Sequence, residues 1–217
     1  MSLNRSSHFG ATVREVRQCT HRGQPARSIV ATRSYPTDRA DLWDALTNRE
    51  RLPRWFLPVS GDLRVGGRYQ LEGNAGGVIE TCDPPDRLEV TWEFAGQLSW
   101  LHVSLAADGE RRTLLVLEHI EPITEEGQKF WDRYGPGAGG VGWDLGLRGL
   151  DAYLVSGVPM DAAAAEAWTQ SDDGLRFIRG SADAWSQAAV ASGTDERTAR
   201  LSAERTVAFY TGQPEPE

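Results

Sequence analysis

Acid–base or ligand chemistry in this chain of 217 residues has to come from four histidines, two cysteines and 31 aspartates and glutamates. Most of them are poorly patterned for it. Cys19 and Cys82 lie far apart and share no metal-ligand spacing, and no His/Cys cluster suggests zinc. Glu89 with Glu93, and Asp172 with Asp173, read as solvated faces or helix-start charges. The Gly-Gly pairs at 66–67 and 76–77 lack the Lys and Ser/Thr of a phosphate loop, and there is no Gly-x-Ser-x-Gly elbow. His8 and His21 stand in terminal or turn sequence, and His102 alternates with Leu101 and Val103 and so faces outward.

His119 is different. In RTLLVLEHI a period of two puts Leu115, Leu117 and His119 on one face, with Val116 and Glu118 on the other. There it is a structural histidine bonded to a carbonyl or water, a polar anchor among apolar walls, or a general base, which needs a positioned partner. No strong second partner is visible. No catalytic residue, metal site or cofactor is predicted, and the chain reads as a binder more than an enzyme.

The elements that must position these groups follow from the chain's patterning. Residues 1–10 read as a flexible tail, followed by two strands over 11–18 and 26–35 around a turn with Gly23 and Pro25. Thr37 or Asp38 caps a helix whose buried face is Leu42, Ala45 and Leu46. Then RYQLEG, GGVIETCDP, DRLEVTWEFA, SWLHVSLAADG and RTLLVLEHIEP give short strands separated by Gly, Pro and Asp turns, the signature of an antiparallel meander. Leu88, Val90, Trp92 and Phe94 share one face, so one side of the sheet is buried.

A loop over 124–137 leads into GAGGVGWDLGLRGLDAYLVSG, where Trp143, Leu147, Leu150 and Leu154 form a helical stripe. Asp144, Arg148 and Asp151 lie nearly opposite. Gly142, Gly146 and Gly149 form a stripe of their own. Each costs roughly 1 kcal/mol against Ala, which calls for close approach of another backbone or cavity space beside a ligand, unless the helix frays at its glycine-rich start.

Beyond Pro159 the chain turns alanine-rich and helical, with Ser171 and Thr194 as caps. Its apolar stripes are Leu175, Ile178, Ala182, Trp185, Ala189 and then Ala199, Ala203, Val207, Tyr210. They are thin, so these helices pack on the main domain or form a homodimer contact. Residues 212–217 read as a disordered tail. The domain expectation is therefore 1–10 tail, 11–157 main domain, 158–211 helical extension.

A net charge of −8 with no Lys/Arg run argues against a nucleic-acid surface. There is no apolar run of membrane-spanning length and no signal-peptide core, so a cytoplasmic location without a membrane partner is expected.

The run from Leu42 to Tyr69 adds a resemblance. Trp43, Ala45, Leu46, Trp55, Phe56, Gly66, Gly67, Arg68 and Tyr69 follow the order Trp-x-Ala-Leu, Trp-Phe, Gly-Gly-Arg-aromatic. This resembles START-like (SRPBCC) domains related to the activator of heat-shock protein 90 ATPase, and Gly142-Trp143 with Leu147 and Leu150 matches their long C-terminal helix. The match spans about residues 28 to 155. The resemblance implies an α+β helix-grip fold, a curved antiparallel sheet wrapped around the long helix, with a cavity between them for a small apolar ligand. Its wall candidates are Trp55, Phe56, Tyr69, Trp92, Leu115, Leu117, His119, Trp143 and Leu147. Trp55 and Phe56 read as lid or wall, or equally as plain core. Other readings on the same fold are a polyketide cyclase or aromatase-like enzyme, and a co-chaperone partner of heat-shock protein 90.

Overall fold

The computed structural model describes residues 11–216. Eight antiparallel strands form one curved sheet in the order β1-β2-β8-β7-β6-β5-β4-β3. They are β1 Thr12–His21, β2 Gln24–Tyr35, β3 Val59–Gly61, β4 Arg68–Leu71, β5 Gly76–Asp83, β6 Arg87–Phe94, β7 Gln97–Ala107 and β8 Thr113–Pro122. Alternation sets the faces. Leu101, Val103 and Leu105 of β7 join Leu115 and Leu117 of β8 in the main core, while Trp100 and Ile120 pack with Ala26 on the other side. The expected inward run of β6 holds for Leu88, Val90 and Trp92. Phe94 departs from it: it ends the strand beside a turn and is exposed.

Helix α1 (Arg39–Thr47) starts where the Asp38 carboxylate accepts the Asp41 N–H. The segment expected as a loop over 124–137 instead contains helix α2, Glu125–Tyr134. Its local signals are sufficient: the Thr124 hydroxyl accepts the Gly127 N–H, Glu125 and Glu126 lie in the first turn, and Arg133 lies in the last.

The long helix α3, Gly137–Ser156, runs unbroken from its glycine-rich start and ends on Gly157 with a left-handed φ of 68°. Tyr35 of β2 donates its hydroxyl proton to the Leu147 carbonyl at 3.1 Å, tying the sheet to the helix.

Three helices follow: α4 Ala162–Thr169, α5 Asp172–Ala191 and α6 Glu196–Thr211. The expected Ser171 cap is present, whereas α6 is capped by Asp195 rather than Thr194. Helix α5 lies across α3 and β1, and α6 lies against α5, α3 and α2. Ile178, Ala182, Ala203 and Val141 share a core, so the thin stripes are covered within the chain. The tail at 1–10 and residue 217 lie outside the described residues. In the segment expected as a C-terminal tail, Glu215 accepts hydrogen bonds from Arg133 at 2.9 Å and Tyr134 at 2.7 Å.

The other side of α3 is also covered. Asp144 and Asp151 do lie opposite the apolar stripe, but both are buried, because β1, β2 and α5 close over that side. Asp144 Oδ2 accepts from Arg14 Nε at 2.9 Å, from Trp185 Nε1 at 3.1 Å and from the Ser181 hydroxyl. Asp151 pairs with Arg33 at 3.1 Å.

Candidate functional site

A pocket of about 160 Å³ opens between the inner face of the sheet, α1, the turn at 52–57 and the middle of α3. Its walls come from six parts of the chain. Helix α1 supplies Trp43, Leu46 and Thr47, and the turn supplies Leu52, Trp55 and Phe56. Val59, Leu63, Tyr69 and Leu71 come from β3, β4 and the loop between them, and Ile79 and Cys82 from β5. Strands β6 to β8 add Leu88, Val90, Trp92, Leu101, Val103 and Leu117, and α3 adds Trp143.

The turn at 52–57 is held in place by its surroundings. Arg51 reaches Asp41 at 2.8 Å and Asp44 at 2.9 Å on α1, and donates to Tyr153 Oη of α3 at 3.2 Å. Trp55 donates its indole proton to the Ala45 carbonyl at 2.8 Å. The glycine stripe completes the fit. A Cβ on Gly149 would stand 2.7 Å from the Trp55 carbonyl oxygen, and one on Gly146 would meet the Phe56 ring at 3.5 Å. Of the readings open for this stripe, close approach of another segment is therefore what the geometry shows at Gly149. Phe56 in turn stacks on Trp55, with centroids 5.4 Å apart, and on Trp143 at 6.3 Å.

Three polar side chains of the wall are turned to partners within the protein. Tyr69 donates to the Thr91 carbonyl at 2.8 Å, Thr47 to the Trp43 carbonyl at 2.8 Å, and Trp143 Nε1 to His119 Nδ1 at 3.1 Å. Burial raises the Tyr69 phenol above its ordinary pKa, with the Glu93 charge adding to the effect. Burial likewise raises the Cys82 thiol, with Asp83 adding, which disfavours a thiolate. What the pocket offers is ring faces, aliphatic side chains and no charge.

Of the nine residues expected from sequence, six line this pocket: Trp55, Phe56, Tyr69, Trp92, Leu117 and Trp143. The structure does not bring the other three to it. Leu115 and Leu147 are buried in the main core at 0% and 2% exposure.

His119 stands behind the wall, its ring edge-on to Trp143 at 5.7 Å and to Trp92 at 5.9 Å. Because an indole N–H can only donate, His119 Nδ1 must accept, which places the neutral ring's proton on Nε2. That proton points to Ser99 Oγ at 2.8 Å, and Ser99 donates in turn to the Trp92 carbonyl at 3.1 Å. Burial pushes the imidazole pKa down to about 4. With the lone pair taken up by Trp143, His119 neither faces a ligand nor has a free basic nitrogen. Of the three readings the structural one is nearest, but the partners are the side chains of Trp143 and Ser99 and not a carbonyl or water.

Several wall residues were not picked out from sequence, among them Trp43, Ile79, Val90 and Val103. Val90 carried a usable signal, since it alternates with Leu88 and Trp92. Trp43 did not, because a half-turn of α1 decides which way it faces. Among the described residues, no group of three or more His, Cys, Asp or Glu could hold a metal ion. No helix there is long and apolar enough to cross a membrane.

Comparison with known proteins agrees with this geometry. The family profile described as Activator of Hsp90 ATPase homolog 1-like protein matches residues 36–155. That span runs from the residue after β2 into the last turn of α3 and so takes in every wall of the pocket. CalU16 from Micromonospora echinospora is similar over nearly its whole length. Its crystal structure is 31% identical, with 82% of this chain and 98% of that chain covered, at a TM-score of 0.65. Its solution structure is 30% identical, with 84% and 97% covered, at a TM-score of 0.70. EF2215 from Enterococcus faecalis, a conserved protein of unknown function, shares the fold at 16% identity and a TM-score of 0.58, with 87% and 95% covered. No curated protein sequence matches the chain. Family profile, similar structures and helix-grip architecture coincide on the same elements: this chain belongs to the Activator of Hsp90 ATPase homolog 1-like family of the START-like (SRPBCC) superfamily.

Proposed function

We propose that this protein binds a small, neutral, apolar or aromatic molecule in the pocket between the sheet and α3. The observation that carries the reading is an uncharged cavity walled by aromatic and aliphatic side chains, where Trp55, Tyr69, Thr47 and Trp143 spend their polar hydrogens within the protein. An enclosed cavity of ~150 Å³ lined by aliphatic and aromatic side chains takes up benzene, and this pocket, open to solvent on one side, is of about the same size at 160 Å³. A ligand of roughly one ring gains the transfer free energy of its apolar surface, ~25 cal/mol per Å². A charged or heavily hydroxylated molecule would lose its hydration with no group in the wall to replace it. In this reading residues 11–157 form the binding domain, and α4–α6 brace the far side of α3.

The test is a thermal-shift and native mass-spectrometry series with benzene, toluene and phenol against benzoate and glucose, on the wild type and Leu117→Phe. Uptake of the neutral rings alone, abolished by the larger side chain at 117, supports the reading. Equal binding by Leu117→Phe, or no uptake of any ring, removes it.

Catalysis of a cyclase type is less well supported, because His119, the one inward titratable group expected from sequence, spends its basic nitrogen on Trp143. Activation of the Hsp90 ATPase is a second reading, suggested by the family's description. It predicts a rise in the chaperone's ATP turnover on addition of this protein.

A further inference from the structure

We infer that His119 is a positioning residue that sets the width of the pocket, holding Trp143 as a wall so that one-ring ligands are favoured over fused two-ring ligands. This rests on the reading of the pocket as a binding site.

His119 does not line the pocket, yet it governs a residue that does. The relay runs from Trp143 Nε1 to His119, from His119 Nε2 to Ser99 Oγ, and from Ser99 to the Trp92 carbonyl. It therefore starts on α3, passes through β8 and β7 and ends on the backbone of β6. Both rings that flank His119, Trp92 and Trp143, are pocket walls, and their centroids lie 5.1 Å apart.

Stacking on Phe56 and a tilted ring contact with Trp92 limit the movement of the Trp143 indole, but such contacts are weakly directional. The hydrogen bond to His119 Nδ1 is the one interaction that fixes which edge of the indole points at the sheet. Without an acceptor there, the buried N–H is left unsatisfied, and the ring's lowest-energy response is to turn its N–H elsewhere. Turning a side chain of that size beside a cavity of about 160 Å³ changes the room available to a ligand substantially.

The polar group is thus used inward, as a brace, rather than outward, as a ligand anchor. Its protonation state suits the task. Burial keeps the ring neutral, so Nδ1 stays an acceptor at ordinary pH.

The experiment measures dissociation constants of toluene and 1-methylnaphthalene for the wild type, His119→Leu, His119→Asn and Ser99→Ala, together with the Trp143 indole ¹⁵N–¹H resonance. Asn places its side-chain oxygen near the position of Nδ1 and keeps an acceptor for Trp143. Toluene is expected to bind the wild type at least tenfold tighter than the bicycle. His119→Leu is expected to reduce that preference at least tenfold and to move the indole resonance, while His119→Asn retains both.

If His119→Leu is too unstable to study, Ser99→Ala loosens the same relay from its other end and is expected to lower the preference in the same direction. A wild-type preference unchanged in these variants despite a shifted indole resonance would overturn the role of His119 and leave the binding site standing. The role is equally overturned if His119→Asn behaves as His119→Leu. Failure of the wild type to bind either ring would overturn both the site and the inference.

Discussion

The two sides of helix α3 are built on opposite principles. Toward the sheet, Trp143 borders a pocket left unfilled by protein. Toward α5 and β1 the helix is packed to contact: Gly140 lies so close under Trp185 that a Cβ would fall 2.3 Å from its ring, and Asp144 is buried with Arg14, Ser181 and Trp185 around it. An unfilled interior costs stability, about 24 cal/mol for each Å³ of cavity. The difference teaches that the void is local to one face, while the rest of the helix is held by interactions that cannot be loosened without large loss. A helix packed along most of its length, with space left beside Trp143, is what a preformed binding site requires.

The most damaging way to break this contrast is to remove the Asp144 carboxylate. Asp144→Ala leaves the Arg14 guanidinium, 6% exposed, buried without it. Loss of one partner of a buried pair costs about 3–5 kcal/mol, and chemical denaturation should show a loss of that size.

A second effect comes from His119, whose pKa in the fold is about 4 against an unfolded value near 6.5. Between those values the unfolded chain binds the extra proton, so stability contributed by the neutral ring is full above pH 6.5 and is lost as pH falls toward 4. The span corresponds to about 3 kcal/mol. His21, lowered by burial and by the charges of His102 and Arg22, adds a change of the same sign. The difference between wild type and His119→Asn in denaturation midpoints from pH 7 to pH 4 isolates the His119 part. Parallel pH profiles would contradict the assignment.

Smaller effects come from the glycine stripe on the pocket side. Gly149→Ala forces a Cβ against the Trp55 carbonyl, so the helix or the turn must shift. Overpacking of this kind costs about 1–3 kcal/mol, offset in part by the roughly 1 kcal/mol that Ala gains over Gly in a helix. Gly146→Ala meets the Phe56 ring at an ordinary contact distance. It should be neutral or raise the melting temperature by a few degrees, in keeping with a gain of at most about 1 kcal/mol. If both substitutions behaved alike in thermal unfolding, the close approach of the turn to Gly149 would be wrong.

Much of this arrangement was legible from residue order. Alternation through Leu88, Val90 and Trp92, and through Leu115, Leu117 and His119, reports a sheet with one dry face. The stripe from Trp143 to Leu154 reports the helix it grips. What stayed hidden depended on partners distant in the chain. Position on the helix does not tell that Asp144 is buried, because its partners Arg14, Ser181 and Trp185 are 130, 37 and 41 positions away. The relay of His119 needs Ser99 and Trp143 from different elements, so periodicity could place its ring inward but not say what it bonds. Helix α2 was missed for a different reason. Gly127 inside it and Gly135 and Pro136 directly after it read as loop, although the Thr124 cap and the charges at its two ends are local helix signals.

The central claim, that the space beside Trp143 is a binding site for a neutral ring, is tested most directly by a crystal of the protein soaked with iodobenzene. The account predicts an anomalous iodine peak inside the pocket, in contact with Trp55, Leu117 and Trp143. Iodine found only on the outer surface at saturating concentration, with the pocket unoccupied, would contradict it.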